Sequence, residues 1–177
     1  MKHFALIAFF MTGLALQAVP LQFNYSVNTS LLSGQAGQLD FQFNPASPGG
    51  DAATATLSGF SGATLGSGSL SGGASGGLGT SLVISNSQLV NGLLQNVTFG
   101  SSFQFVLNII GPLVDSPQGF DGSTFALQNG STMLVQIDVL PGFEPFVFTD
   151  GSVNQIPEPS SALVVLFALG ALGLSRR

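Results

Sequence analysis

The sequence contains no cysteine and no tryptophan, and its positive charge is confined to the two ends. The basic residues are Lys2, His3, Arg176 and Arg177, so no cationic side chain occurs between residues 4 and 175. The absence of cysteine excludes disulfides, thiolate metal ligands and cysteine nucleophiles. Because nucleic-acid binding requires lysine and arginine against phosphate, the charge distribution excludes nucleic acid as a partner.

The missing basic residues also remove most catalytic chemistry from residues 19–155. A Ser-His-Asp triad, a Schiff-base lysine and a zinc site with histidine ligands are all unavailable there. What remains is paired-carboxylate hydrolysis of the glycosidase kind. Most of the eight acids lie beside glycine or proline, as turn aspartates do, while Asp40 and Asp138 take outward positions on predicted strands. We therefore predict that the protein is not an enzyme and uses no cofactor.

Residues 1–18 have the layout of a secretory signal peptide. Lys2 supplies a positive start, an apolar run spans residues 4–16, and the small residue Ala18 ends the segment. Cleavage is predicted after Ala18, with Ala15 as the alternative site. A buried N-terminal helix or an uncleaved anchor is the other interpretation, but the run is short for a bilayer core of ~30 Å. The segment predicts export through a signal helix.

Residues 156–177 form a second distinct segment. It combines a proline-flanked acid, an uncharged apolar run and a basic end, at Pro157-Glu158-Pro159, residues 162–174 and Arg176-Arg177. The prolines prevent a preceding element from continuing. As a helix, residues 160–174 would reach about 22 Å, enough for a thin bilayer with both arginines on the cytoplasmic side.

This order of motif, apolar helix and basic pair resembles the PEP-CTERM sorting signal of Gram-negative-type bacteria. In that family an exosortase, an integral-membrane relative of cysteine protease-transpeptidases, recognises and processes the tail. The resemblance implies that Pro157, Glu158 and Pro159 are the sorting motif and that Arg176 and Arg177 are the stop-transfer end. It also implies a membrane helix at residues 160–175, with exosortase, the export machinery and the inner membrane as partners. The implied location is the inner membrane before processing and the cell surface or exterior afterwards.

Three other interpretations of the tail fit less well. A eukaryotic GPI signal has a different spacer and lacks a terminal basic pair. A buried amphipathic helix would show polar residues at regular spacing, and residues 162–174 show none. A simple tail anchor is the third alternative.

The body, residues 19–155, shows the period-two alternation of β-strands. Apolar residues share one parity in four segments, at Leu21, Phe23, Tyr25 and Val27; Leu39, Phe41 and Phe43; Val97, Phe99, Phe103, Phe105, Leu107 and Ile109; and Met133, Val135, Ile137 and Val139. Glycine- and proline-containing turn signals separate these segments. The pattern predicts an all-β domain, an antiparallel sandwich or a jelly-roll-like fold, with the body phenylalanines as its core.

Residues 58–81 are dominated by glycine and serine. We predict a long loop or weak hairpin there, with an irregular glycine-rich strand edge as the alternative. The body also resembles short secreted PEP-CTERM proteins in its segments VPLQFNYSVNTS, GQLDFQFNP and DAATATLSGF. That resemblance implies one exported β-domain.

Three functions remain open for the body. The first is a structural protein of the surface or extracellular matrix, and the second is a module that binds glycan or Ca²⁺; extracellular polysaccharide is a possible partner of either. Asp115 and Asp121 flank a turn and are the candidate Ca²⁺ ligands, although paired turns explain them better and no metal site is predicted. The third is an acid-pair hydrolase. An exposed stripe of phenylalanine would favour the second function.

The N-glycosylation sequons at Asn24, Asn28, Asn96 and Asn129 are expected by chance in this composition.

Overall fold

The computed structural model describes residues 20–115, 122–141 and 143–156. The predicted signal helix of residues 1–18 and the predicted membrane helix of residues 160–175 lie outside these ranges. Within them, no helix has the length and apolar character needed to cross a membrane. The boundaries of the predicted signal peptide therefore stay predictions.

The described chain is built almost entirely of strands, which run β1 (Leu21–Asn28), β2 (Ala36–Pro45), β3 (Thr54–Ser71), β4 (Ala74–Gly76), β5 (Ser81–Ser85), β6 (Gly92–Ile110), β7 (Ser123–Asn129), β8 (Thr132–Val139), β9 (Phe146–Thr149) and β10 (Val153–Ile156). A 3₁₀ turn at Ser30–Leu32 and a short helix α1 (Pro112–Asp115) complete the described elements. The predicted all-β antiparallel fold is confirmed. All ten strands belong to one hydrogen-bonded sheet, so the sandwich or jelly-roll description stays a prediction.

The long strand β6 organises the sheet. Along one edge it pairs with β3, and along the other with β2 in its first half and β1 in its second half. The order continues from β2 through β7 and β8 to β9, while β5 and β4 extend from β3 and β10 pairs with β1. Every pairing is antiparallel.

The sheet folds back on itself because β6 is bent. Phe41 of β2 lies opposite Leu93, near the start of β6, yet its ring centroid is 5.9 Å from that of Phe105. In a straight strand, residues 93 and 105 would be about 40 Å apart at ~3.3 Å per residue. The first and second halves of β6 therefore face each other across one core.

Glycines permit this bend. The register of β3 on β6 shifts between Ser58 and Ser61 and again between Ser61 and Ala63. Gly62 lies there with a φ of 96°, and a Cβ on it would collide with the carbonyl oxygen of Ser102. A Cβ on Gly100 would in turn collide with the carbonyl oxygen of Gly62. Only backbone without side chains approaches this closely.

The predicted long loop or weak hairpin over residues 58–81 is wrong for most of its length, and only β4, paired with β5, forms a short hairpin there. Residues 58–71 belong to β3 and residues 74–76 form β4, with turns between and after them. The glycines and serines there belong to a bulged strand that pairs closely with β6. This arrangement corresponds to the alternative prediction, an irregular glycine-rich strand edge.

The core forms from the inward positions of the alternating segments, as predicted, except that Leu21 and Met133 are only half-buried. One buried cluster takes in both halves of the folded sheet and includes Phe23, Tyr25, Val27, Leu39, Phe41, Phe43, Val97, Phe99, Phe103, Phe105, Leu107, Ile109, Val135, Ile137 and Val139. Ser101, which shares the inward parity of β6, is exposed because it lies at the bend. Within this core the ring of Phe105 is stacked with that of Phe103 and tilted against that of Tyr25.

Two buried asparagines form hydrogen bonds with backbone groups of the loops at the edge of this core. Asn86 donates to the carbonyl oxygen of Asp51 at 2.8 Å and to Ser123 Oγ at 2.9 Å, and its Oδ1 accepts from the Ala53 amide. Asn91 Oδ1 accepts from the Gly73 amide at 2.8 Å. Side chains thus satisfy backbone groups where strand pairing ends.

We expect residues 20–156 to fold without either end, since every member of the core cluster lies between Phe23 and Val153. Far-UV circular dichroism should show a β spectrum and a cooperative melt. A chain ending at Gly151 should melt at a lower temperature, because it loses the β10 pairing and the buried Val153, worth about 1.5–3 kcal/mol. A coil spectrum for residues 20–156 would contradict this.

Tyr25→Phe should stabilise the protein. The Tyr25 hydroxyl is buried and has no hydrogen-bond partner among the described residues, a situation that costs about 1–3 kcal/mol. Thermal melts at pH 7 should show a midpoint a few degrees higher for Tyr25→Phe. A lower midpoint would show that the hydroxyl has a stabilising partner.

The difference between the two proteins should widen in alkali. Burial raises the pKa of Tyr25 above its usual range. The unfolded chain therefore releases the proton first, so wild-type stability is complete below pH ~10 and is lost as the pH rises toward the folded-state pKa. Melts between pH 9 and 11 on both proteins measure this.

Candidate functional site

The predicted sorting residues Pro157, Glu158 and Pro159 lie outside the described residues, as do Arg176, Arg177 and Ala18. The structure does show where the chain leads into the motif. β10 runs antiparallel to β1, with Val153 opposite Val27 and Ile156 opposite Asn24. Because Ile156 is the last residue of β10, the motif follows the folded sheet without an intervening linker.

Both ends of the body leave the sheet at the same place. β1 begins at Leu21, three residues before Asn24, the partner of Ile156. The buried Val153 and the β1 pairing hold the last strand in position, and a turn in which the Val153 amide donates to the Asp150 carbonyl begins it. We call this region, β10 with residues 21–24 of β1, the tail junction.

A cavity of about 630 Å³ opens at the opposite end of β1. Its apolar wall includes Val27, Leu31, Phe99 and Leu134, and Asp150 lies on its rim. Hydrogen bonds from the Ser152 amide, at 2.8 Å, and from the Ser152 side chain lower the pKa of Asp150. The cavity offers an apolar surface with one ionised carboxylate.

The outward side of β2, β7 and β8 presents a mostly polar face, which β9 extends with two phenylalanines. Its side chains align across the strands in two adjacent rows, Asn44–Thr124–Asp138–Phe146 and Gln42–Ala126–Gln136–Phe148. Asp40, beside Gln42 along β2, extends the same surface. The predicted outward positions of Asp40 and Asp138 fit this arrangement. We call this surface the outer face.

Hydrogen bonds between side chains hold the outer face together. Gln42 Nε2 donates to Asp40 Oδ2 at 2.6 Å, and Asn44 Nδ2 donates to Gln42 Oε1 at 2.8 Å. Thr124 Oγ1 donates to Asp138 Oδ1 at 2.7 Å, and Gln136 Nε2 donates to both carboxylate oxygens of Asp138. The polar groups are therefore fixed before any ligand arrives.

Two phenylalanines border the outer face on β9. Phe146 is 66% exposed and Phe148 is 48% exposed, while Val147 between them packs against the core. Phe143, just before the strand, is 75% exposed. The prediction that the body phenylalanines form the core is wrong for these three. β9 is the last strand in this direction, and its alternation places Val147 and Thr149 inward and its two phenylalanines outward.

The described residues contain no group of three His, Cys, Asp or Glu side chains that could hold a metal ion. Asp121 and the side chain of Asp115 lie outside the description, so the Ca²⁺ hypothesis stays untested. Among the sequon asparagines, Asn28 Oδ1 accepts from the Ser30 amide and Asn96 Oδ1 accepts from Gln38 Nε2. Both side chains are used within the protein itself.

Comparison with known proteins identifies one segment. No curated protein and no solved structure matches the chain. The PEP-CTERM protein-sorting motif matches residues 155–177, beginning inside β10 and including the Pro-Glu-Pro sequence and the terminal arginines. The chain thus joins an antiparallel β-domain directly to a C-terminal PEP-CTERM protein-sorting motif.

Proposed function

We propose that this protein is a structural component of the cell surface or extracellular matrix, delivered there by its C-terminal signal. The PEP-CTERM motif indicates an exported protein that is processed by exosortase and anchored transiently at the membrane. The observation that carries the proposal is the direct junction of this motif to a folded β-domain whose sequence has no histidine, lysine, arginine or cysteine. A domain without these side chains lacks the usual nucleophile–base pairs and cationic catalytic groups, and a structural role needs none of them.

The residues of the tail have separate roles in this proposal. The apolar run of residues 162–174 stops in the inner membrane, and Arg176 and Arg177 resist transfer because moving their charges outward is costly. Pro157 and Pro159 keep the chain from continuing as helix or strand, which leaves Glu158 and the backbone accessible to the enzyme. The β-domain is folded on the outer side.

A second candidate function is a glycan-binding module at the same location. The exposed phenylalanines Phe146 and Phe148 favour it, because aromatic faces beside polar groups suit sugar rings, which have apolar faces and hydroxyl edges. An acid-pair hydrolase has less support, since the outer-face carboxylates Asp40 and Asp138 are committed to hydrogen bonds with neighbouring side chains. We propose no catalytic activity.

Replacing Pro157 and Glu158 together with Ala should block sorting. We expect an unprocessed form that stays in the inner membrane, because the motif is lost while the anchor is intact. Membrane fractionation with intact-mass analysis of the full chain in its native host measures this. The matched control is Glu144→Ala with Pro145→Ala, which removes the same two residue types from the body and should leave processing unchanged.

Deletion of residues 160–177 should have a different effect. Without the apolar run and the arginines, the body should pass the membrane and appear outside without processing. If this deletion and the motif variant reach the same compartment at the wild-type mature mass, the sorting roles assigned to these residues are wrong.

The mature protein should begin at Val19. Cleavage after Ala18 leaves β1, which starts at Leu21, complete, whereas the alternative cut after Ala15 would leave three additional residues. N-terminal sequencing of envelope material checks the site. Ala18→Arg should abolish cleavage there, because the exit position requires a small residue. Envelope protein that begins at Met1 would contradict the export signal.

A further inference from the structure

We propose that the outer face binds a polysaccharide without negative charge, either neutral or amine-bearing. This inference rests on the second candidate function and names the surface and the ligand class. The occupant is an extended polymer lying across the strands, rather than a single sugar held in a pocket.

The shape of the outer face favours an extended ligand. One row of side chains crosses six paired strand segments, in the order Ser71, Gly92, Gln42, Ala126, Gln136 and Phe148. At ~4.8 Å per strand, this row is about 24 Å long. Gly92 and Ala126, on either side of Gln42, are small and buried, so the row is uneven, with more exposed polar side chains alternating with low positions.

The polar groups of the row are fixed and have unused capacity. Gln42 Nε2 donates one of its two hydrogens to Asp40, whereas Gln136 Nε2 already donates to both carboxylate oxygens of Asp138. The spare donor is therefore that of Gln42. The carboxylates of Asp40 and Asp138 offer about four acceptor positions each. Side chains that are already ordered lose little conformational entropy when a ligand binds. The surface therefore presents donors and acceptors together, as hydroxyl groups require.

Apolar side chains lie at both ends of the row. Phe146 and Phe148 border it on β9, and Val90 and Leu94 border it at the other end. A depression of about 250 Å³ lies between these last two and Asp40, Gln42, Ser69 and Ser71. A ligand with hydroxyl edges and apolar ring faces matches polar groups in the middle and apolar groups at the ends.

The negative charge of the outer face determines which polysaccharides it can bind. Asp40 and Asp138 lie on the outer face, and the sequence from residue 4 to residue 175 has no basic side chain to balance them. A uronate or sulfate polymer, or an anionic lipid surface, would be repelled. A second copy of this chain would bring the same two carboxylates to the contact. Neutral hydroxyls and protonated amines are the complementary chemistry.

The test measures retention of the full chain, in a neutral detergent, on beads of chitin, chitosan and cross-linked alginate. We expect retention on chitin and chitosan and none on alginate. Phe146→Ser with Phe148→Ser should lower retention on chitin about tenfold, equivalent to about 1.4 kcal/mol. Gln42→Ala with Gln136→Ala should lower it as well. Leu31→Ser, which removes a 91% exposed side chain beside the cavity, is the control and should bind normally.

Each other outcome overturns a definite part of the proposal. Normal retention of both double variants, with unchanged melts, would show that the protein binds glycan through another surface. Retention on alginate equal to that on chitin would refute the charge selection. Absence of retention on every bead would refute both the outer-face site and the glycan-binding function, without touching the sorting assignment. If, in addition, sedimentation shows a dimer that the Phe variants dissociate, the outer face is a contact between copies.

Discussion

The close contact of two glycine-containing backbones is the constraint on which the architecture depends. Gly62 of β3 and Gly100 of β6 approach so closely that neither position has space for a Cβ. This contact lets both long strands bend together, and the bend brings the ring of Phe41 onto that of Phe105. One sheet can then bury a single core between its own halves. The outward sides of the two halves are exposed and available for binding.

The absence of cations determines what those outward sides can do. With no lysine, arginine or histidine in the described residues, polar side chains pair with each other instead of forming salt bridges. Asp138 accepts from Thr124 and Gln136, and Asp40 accepts from Gln42. These neutral donors leave the carboxylate charge in place, so the surface has fixed geometry and a negative potential.

Much of the fold could be predicted because alternation reports directly on burial. Tyr25, Phe41 and Phe105 lie inward, as their parity indicates. Two features could not be predicted, for different physical reasons. Glycine-rich composition is shared by flexible loops and by bulged strands, and only the partner strand distinguishes them, as for residues 58–71. Phe146 and Phe148 are apolar yet exposed, since they take the outward positions of the short edge strand β9. The outer face was missed because its rows join residues far apart in sequence.

The tail junction and the outer face lie on different parts of the folded sheet, and this separates anchoring from binding. The junction is formed by β10 on β1, which pairs with the second half of β6. The outer face is formed by β2 and the strands beyond it, and β2 pairs with the first half of β6. Because the bend turns these halves toward a common core, their outward surfaces point apart. A chain attached through Ile156 therefore leaves the rows on β2, β7, β8 and β9 uncovered by its own junction. The tail junction and the outer face are therefore built on strands that pair with different halves of β6.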